Sequence, residues 1–402
     1  MDKLHILVKA AAHGRSIAVE EAGRIVEFYQ ENEKEDTLVN AVILGRVDRV
    51  MKGLDAAFVK IGQPHNGFLP LKEMESFEKT SSERTIAAGA ELIVQVKKDA
   101  KADKGAYLSR DIALPGQYVI FMPLNRHVGV SERVSDEAQR TALYELGKRL
   151  TGGEFGLVLR NMAMGQSEEA LREEIKALRE RWDGILIKAA HARAPEILYR
   201  EESTLSVLVR DYAPRYDLKI TCNDRVNRMP AASAGVLWEQ IDNAAMDALW
   251  AKHTVDAQVR AALSRRVELK GGGSLMIDER EALTTIDVNS GAYNVPGDAA
   301  YQLNLAACAQ IAQQIRLRNL SGIILIDFVD METDSRRADV AAALQSHMLR
   351  ERQKTVIHGF TTLGLLEMTR KRMGVSLRDM LKEPCDMCGG TGYKRKGKQS
   401  LA

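Results

Sequence analysis

Asp287 and Asn289 lie two residues apart in ALTTIDVNSG, and Asp327 closes the apolar run IILID, with Asp330 three residues later. Residues two apart on a strand project from one face. SGIILIDFVDM has the composition of a buried strand, where a carboxylate is costly unless something compensates its charge. A divalent cation compensates two carboxylates at once. Two carboxylates with a neighbouring amide supply hard oxygen ligands and leave positions for water, which suits magnesium better than zinc. The alternative is that each aspartate caps a strand end or pairs with Arg316, Arg318 or Arg370. SRR at 335–337 and TRKR at 369–372 add cations of the kind that hold phosphate.

The elements around these residues must bring them together. A helix of about 20 residues, AAYQLNLAACAQIAQQIRLRN, separates the two acidic runs. A strand, helix, strand unit most often makes a right-handed crossover with parallel strands, which the sequence alone does not fix here; such pairing would set Asp287 and Asp327 side by side at the C-terminal strand ends. Upstream, RRVELKGGGSLMIDE and ALTTIDVNSG read as strands joined by a turn.

A second chemistry lies in EPCDMCGGTGYKRKGKQS, where Cys385 and Cys388 have the spacing of a zinc knuckle. Structural zinc takes four ligands, so the pair is half a site. Cys222 and Cys308 sit in apolar patterns, and the eight histidines are scattered without a paired spacing. Two chains related by a two-fold axis complete the site if each donates both cysteines. A metal-free turn, or a single copy of the Cys-x-x-Cys-x-Gly-x-Gly repeat of DnaJ-type chaperones, are the alternatives.

Residues 4–30 carry two β-like runs, too few to close a sheet. From 39 to 110 come five short strands, VNAVILGRVDRV, AAFVKIG, GFLPL, AELIVQVKKDA and GAYLS, which suggest a small oligonucleotide-binding barrel. Phe58, Phe68, His65, Lys60 and Lys104 are its exposed-face candidates. Aromatics beside cations suit single-stranded nucleic acid, since every base has a face to stack on. Plain barrel core is the competing reading of the two phenylalanines. Strand runs YVIFMP and GLVLR flank a polar helix around 135–149, and Leu171, Ile175, Leu178 and Trp182 share one helical face. ILYR, LSVLVRDY and LKIT read as strands, and helical stretches follow to about 264.

A chain of 402 residues with 45% hydrophobic content builds several folded domains. Its net charge of +2 advertises no polyanion partner globally, although Lys394, Arg395, Lys396 and Lys398 form a basic tail. The cysteine usage argues for a reducing compartment, no apolar run is long enough to span a membrane, and MDKLHILVKAAAHG lacks a signal layout. A cytoplasmic protein is the expectation.

AAFVKIG, HNGFLPL, SRRVELKGGG, ALTTIDVNSG, IILIDFVDM, GLLEMTRKR and the late Cys-x-x-Cys-x-Gly-x-Gly resemble, in the same order, the ribonuclease E/G family of bacterial endoribonucleases. The resemblance implies a multidomain α/β and α+β chain: a split RNase H-like subdomain (1–37 and 201–278), an inserted S1-type barrel (38–115), a 5′-sensor region (116–200), a DNase I-like subdomain (279–382) and a zinc-link with basic tail (383–402). It implies magnesium on Asp287 and Asp327 supported by Asn289, and RNA contacts from Phe58, Phe68 and Lys104. Lys354 stands where some members carry arginine near the active site. Arg160 falls on the arginine that senses a 5′-monophosphate, while Asn161 departs from the threonine of the best-known member. The family's dimers share one zinc, so a homodimer bridged by Cys385 and Cys388 is implied. The implied reaction is magnesium-dependent hydrolysis of single-stranded RNA to 5′-phosphate and 3′-hydroxyl ends, in rRNA processing or mRNA decay. A non-catalytic RNA-binding or chaperone-like protein is the rival. The chain ends 14 residues after Cys388. We therefore expect neither the small C-terminal domain that pairs dimers nor a degradosome scaffold tail.

Overall fold

A computed structural model of the chain describes residues 2–32, 37–71, 86–100, 104–134, 136–200, 203–223, 236–291, 298–372, 374–383 and 385–388. The basic tail and the glycines after Cys388 lie outside these residues.

Three antiparallel strands open the chain: β1 (Lys3–Ala11), β2 (Gly14–Glu21) and β3 (Arg24–Asn32). The second of the two β-like runs in residues 4–30, SIAVEEAGRIVEFYQ, forms two strands, because Ala22 and Gly23 both take positive φ (51° and 82°) and turn the chain back.

A closed barrel follows, built from β4 (Val42–Met51), β5 (Ala56–Lys60), β6 (Gly67–Pro70), β7 (Glu91–Lys98) and β8 (Tyr107–Ser109). β4 pairs with both β5 and β7, and β8 bridges β6 and β7, which leaves no open seam. All five expected strands are present. Alternate residues, including Ala57, Val59, Leu69, Val94, Val96 and Leu108, fill the interior.

Next, β9 (Leu114–Pro115), β10 (Val119–Met122), β11 (Val128–Val130), α1 (Glu137–Thr151), β12 (Gly156–Leu159) and α2 (Glu168–His191) form a four-stranded sheet with two helices. Leu171, Ile175, Leu178 and Trp182 of α2 are buried in its core, as the 3.6-residue period requires. β13 (Glu196–Tyr199) lies along β4.

LSVLVRDY is a helix, α3 (Thr204–Tyr212), where a strand was expected. Leu205, Leu208, Val209 and Tyr212 are its buried residues, a spacing that fits a helical stripe, and the Ser203 hydroxyl caps it by accepting from Ser206 N–H. β14 (Asp217–Cys222) and β15 (Val236–Gln240) then complete the N-terminal sheet in the order β15-β14-β1-β2-β3. The orphan strands at the start of the chain thus find partners 200 residues later. α4 (Asn243–Lys252) and α5 (Val255–Ala262) share a core with Leu7, Ala18 and Ile25 of that sheet.

The last sheet runs β16 (Arg266–Glu268), β17 (Ser274–Glu279), β18 (Leu283–Asn289), β19 (Gly322–Asp327), then β21 (Leu366–Arg370) and β20 (Thr355–Phe360). α6 (Ala299–Leu317) crosses between β18 and β19, which are parallel as expected. α6 and α7 (Asp334–Met348) bury one face of this sheet, packing on Leu275, Ile277, Ile286, Ile324, Ile326 and Met368. α8 (Leu377–Leu381) ends the described elements. By contacts the chain divides into two compact units: one holds Met1–Asp2, Glu33–Leu218 and Asn227–Leu237, the other Lys3–Asn32, Lys219–Val226 and Trp238–Ala402. Among the described residues no helix is long and apolar enough to cross a membrane.

Candidate functional site

β18 alternates strictly: Thr284, Ile286 and Val288 are buried beneath the sheet, while Thr285, Asp287 and Asn289 face outward. Asp287 and Asp327 are register partners across the parallel β18–β19 pair, both exposed at its C-terminal end. Asn289 Nδ2 donates to Asp287 Oδ2 at 2.7 Å, which orients one carboxylate and turns the amide oxygen into a further hard donor. Loss of solvation, then the charges of Asp287 and Asp330, pushes the Asp327 carboxyl above the usual aspartate range. A carboxylate whose charge its neighbours disfavour, beside a second carboxylate that an amide orients, fits a hard dication, whose charge relieves the repulsion.

Two supports hold this arrangement. Asn304 of α6 is fully buried, donates from Nδ2 to Val329 O at 2.7 Å and accepts from Val329 N–H at 3.1 Å, pinning the chain two residues beyond Asp327. The Gly271–Gly273 turn lies against the end of β18: a Cβ on Gly273 would stand 3.0 Å from Asn289 O and 2.7 Å from Leu303 Cδ1, and Gly271 and Gly272 take φ of 100° and 108°. A cleft of about 510 Å³ opens beside Asp287 and Asn289, flanked by Arg265 and Arg266. Arg265 grips Asp278 with two bonds of 2.7 and 2.6 Å, and Arg266 pairs with Glu268 at 2.6 Å.

The arginines offered as partners for the aspartates are engaged elsewhere. Arg316 pairs with Glu21 (3.2 Å) and Glu27 (3.4 Å), Arg370 with Glu351 (3.0 Å), and Arg318 donates to Ser264 O and Gln314 Oε1. The TRKR cluster does not flank Asp327. β21 runs antiparallel to β19, so Arg370 is level with Gly322, at the opposite end of the strand from Asp327. Lys354 is displaced for the same reason: Thr355, next to it, is level with Arg370 and hence with Gly322, roughly 16 Å along the sheet from Asp327 at ~3.3 Å per residue. Of the SRR cluster, Arg336 is held by Asp298, and Arg337 by Asp334 and the Met331 carbonyl.

On the barrel, Phe58 and Phe68 are cross-strand partners on the outer surface, half-buried, and absent from the interior packing. Their rings meet edge to face at 5.9 Å, and Phe68 also lies 6.1 Å from Tyr107. Tyr107 extends the row to three rings across β5, β6 and β8. Arg49 covers the Phe58 ring at 4.8 Å and Lys98 the Tyr107 ring at 5.6 Å. Lys104 is exposed next to Gly105, where any Cβ would meet Asn66 O at 1.8 Å, so only glycine lets that strand approach. Lys60 is paired with Asp48 at 3.1 Å, and His65 is an exposed loop residue. Tyr107 was legible from alternation, since its neighbour Leu108 points inward; Arg49 was not, because cation and ring meet across a bulged strand pair.

Arg160 leaves the end of β12 with its guanidinium already held: Nη1 donates to Gly116 O at 2.7 Å and Nη2 to Asp211 Oδ1 at 2.9 Å. Asp211 belongs to α3, a helix where the apolar run predicts a strand. Asn161 follows in a single 3-10 turn and is half-buried.

Cys385 and Cys388 are joined across one turn, Cys388 N–H donating to Cys385 O at 3.2 Å. Among the described residues neither belongs to an intrachain group of three or more histidine, cysteine or acidic ligands. Cys222 and Cys308 are buried, and burial pushes the Cys308 thiol up to about 12, far from a metal-binding thiolate.

Comparison with known proteins places this geometry. The profile of the Ribonuclease E/G family matches residues 113–373, and that of the S1 RNA binding domain matches residues 38–111, the barrel. Ribonuclease G of Haemophilus influenzae is 34% identical over 98% of this chain and 84% of its own length. Ribonuclease G of Escherichia coli K12 is 32% identical over 96% of the chain and 83% of its own length. Ribonuclease E of a Nostoc species is 32% identical over 94% of the chain and 59% of its own length. Aspartates paired on an open sheet face, an aromatic row on an S1 barrel and near full-length similarity lead to one conclusion: the chain belongs to the ribonuclease E/G family and is an endoribonuclease.

Proposed function

We propose that the chain hydrolyses single-stranded RNA with magnesium held by Asp287 and Asp327. The observation that carries this reading is the register match of the two carboxylates on the solvent face of β18–β19, with Asn289 bonded to Asp287. Bound there, magnesium neutralises phosphate charge and supplies a more acidic water. Asn289 fixes which Asp287 oxygen stays free, and Asn304 keeps the Asp327 turn from drifting. In hydrolysis the water oxygen joins the phosphorus, the P–O3′ bond breaks and a proton from the water ends on O3′, leaving a 5′-phosphate and a 3′-hydroxyl.

Phe58, Phe68 and Lys104 grip the strand in this reading, with Tyr107 as a third stacking surface. Lys354 contributes a phosphate contact away from the metal. Arg160 and Asn161 receive a 5′-monophosphate, which has to compete with Asp211 for the guanidinium. Cys385 and Cys388 of two chains share one zinc and make the homodimer. We carry the six-part division and a cytoplasmic role in rRNA processing or mRNA decay as parts of the same proposal.

The test is cleavage of a 5′-monophosphorylated oligoribonucleotide with and without magnesium by the parent, Asp287→Asn and Asp327→Asn. Both variants are expected to lose cleavage and keep RNA binding. A variant cutting near the parental rate removes the metal assignment, and a parent that binds without cutting favours a purely RNA-binding protein.

A further inference from the structure

His5 and Glu20 are register partners on β1 and β2, and His253 closes α4 directly above them. One ring nitrogen of each histidine and one carboxylate oxygen of Glu20 all lie within 4.8 Å of one another. Among the described residues this is the sole group of three or more such ligands. The chain has used strands from its start and a helix corner more than 230 residues later to bring two imidazoles and a carboxylate together, in a group that includes neither Asp287 nor Cys385.

The hydrogen bonds around the group prepare it for a cation. The Thr221 hydroxyl donates to Glu239 Oε2 at 3.1 Å, so its oxygen accepts from His5 Nε2 at 2.8 Å. That fixes the His5 proton on Nε2 and leaves a lone pair on Nδ1. A metal-binding histidine characteristically spends its other ring N–H on such an outer partner. Glu20 Oε1 accepts from the Gly23 N–H, which orients the carboxylate, and Oε2 lies 3.9 Å from His253 Nδ1. Glu20 is only 9% exposed, so its charge is poorly served by water. The nearby Lys219 is neutralised by Glu239 at 2.8 Å.

We propose that His5, Glu20 and His253 form a site for a borderline divalent cation of the zinc class. Two imidazoles select against magnesium and calcium, which take oxygen ligands. Metal–ligand distances of about 2.0–2.2 Å set ligand atoms about 3.3–3.5 Å apart, so closure needs side-chain movements of about 1 Å. Three protein ligands leave a fourth position for water. The ion staples the N-terminal hairpin to the α4–α5 corner.

This site shares no residue with the magnesium or shared-cysteine sites, and the experiment keeps them apart. The intact full-length chain is stripped with chelator and titrated with zinc, and separately with cobalt, whose visible absorption distinguishes nitrogen and oxygen ligands from thiolates. The parent is expected to take up one equivalent per chain in addition to whatever the cysteines hold, with a cobalt spectrum lacking thiolate charge transfer for that equivalent. His253→Gln and Glu20→Gln are each expected to lose it or weaken it by at least about tenfold, and to lose the zinc-induced rise in melting temperature. Should either substitution unfold the chain, the other carries the test. A parent with no such equivalent, or variants that keep it at unchanged affinity, overturns the site.

Discussion

Replacing Phe68 with leucine separates stacking on RNA from support of the barrel. The ring has two aromatic neighbours, Phe58 at 5.9 Å and Tyr107 at 6.1 Å. At about 0.5–1.5 kcal/mol for each aromatic pair, losing both costs about 1–3 kcal/mol of stability, while leucine keeps most of the apolar contact. One stacked base is worth about 1–3 kcal/mol, a loss of about 5- to 150-fold in affinity. The assay is RNA titration of the folded variant together with its thermal unfolding, beside Leu69→Ala as the control. Leu69 is fully buried in the barrel interior, so its truncation costs about 2–5 kcal/mol of folding and leaves the affinity of folded protein unchanged. If Phe68→Leu melts lower but binds RNA as tightly as the parent, the outer row is packing and the stacking argument fails.

Other outcomes follow from the same geometry. In metal-free protein, carbon-13 titration should find Asp327 above the ordinary aspartate value, with Asp287→Asn bringing it down; its raised value favours the protonated fold, so stability falls as pH rises through that window and magnesium reverses the trend. An Asp327 titration indifferent to Asp287→Asn would separate the two carboxylates. Arg160→Ala should erase any preference for monophosphorylated over hydroxyl ends, while Asp211→Asn, which frees the guanidinium, should strengthen it; equal cleavage of both ends by the parent means no working sensor. Inductively coupled plasma analysis should find half an equivalent of zinc per chain lost on changing Cys385 and Cys388 to serine, with a weakened dimer by light scattering, and a monomer holding a full thiolate-bound equivalent refutes the shared site.

Local pattern was enough to identify the chemical groups and most of the elements. The spacing of Asp287 and Asn289 put them on one face because a strand has period two, and the apolar run ending at Asp327 marked a strand, although one covered on a single face: Ile324 and Ile326 are buried while Ile323 and Asp327 are exposed. The five barrel strands and the buried stripe of α2 were legible for the same reason: period and turn residues are properties of consecutive residues. LSVLVRDY failed that test because a short apolar run satisfies both periods, and its capping by Ser203 was the signal passed over.

Tertiary structure alone decided what meets what. Register fixed the pairing of Asp287 with Asp327 that the strand, helix, strand order suggests, and strand direction carried Lys354 and TRKR to the far end of the sheet, which no count along the chain reveals. Burial chose the outer face for Phe58 and Phe68, and a bulged strand pair laid Arg49 over the Phe58 ring. Pairings across long separations, such as Arg160 with Asp211 and His5 with Glu20 and His253, exist because folding brings distant segments into contact. A sequence names the groups able to do chemistry, whereas distance, solvation and charge balance between them arise only when the chain closes on itself.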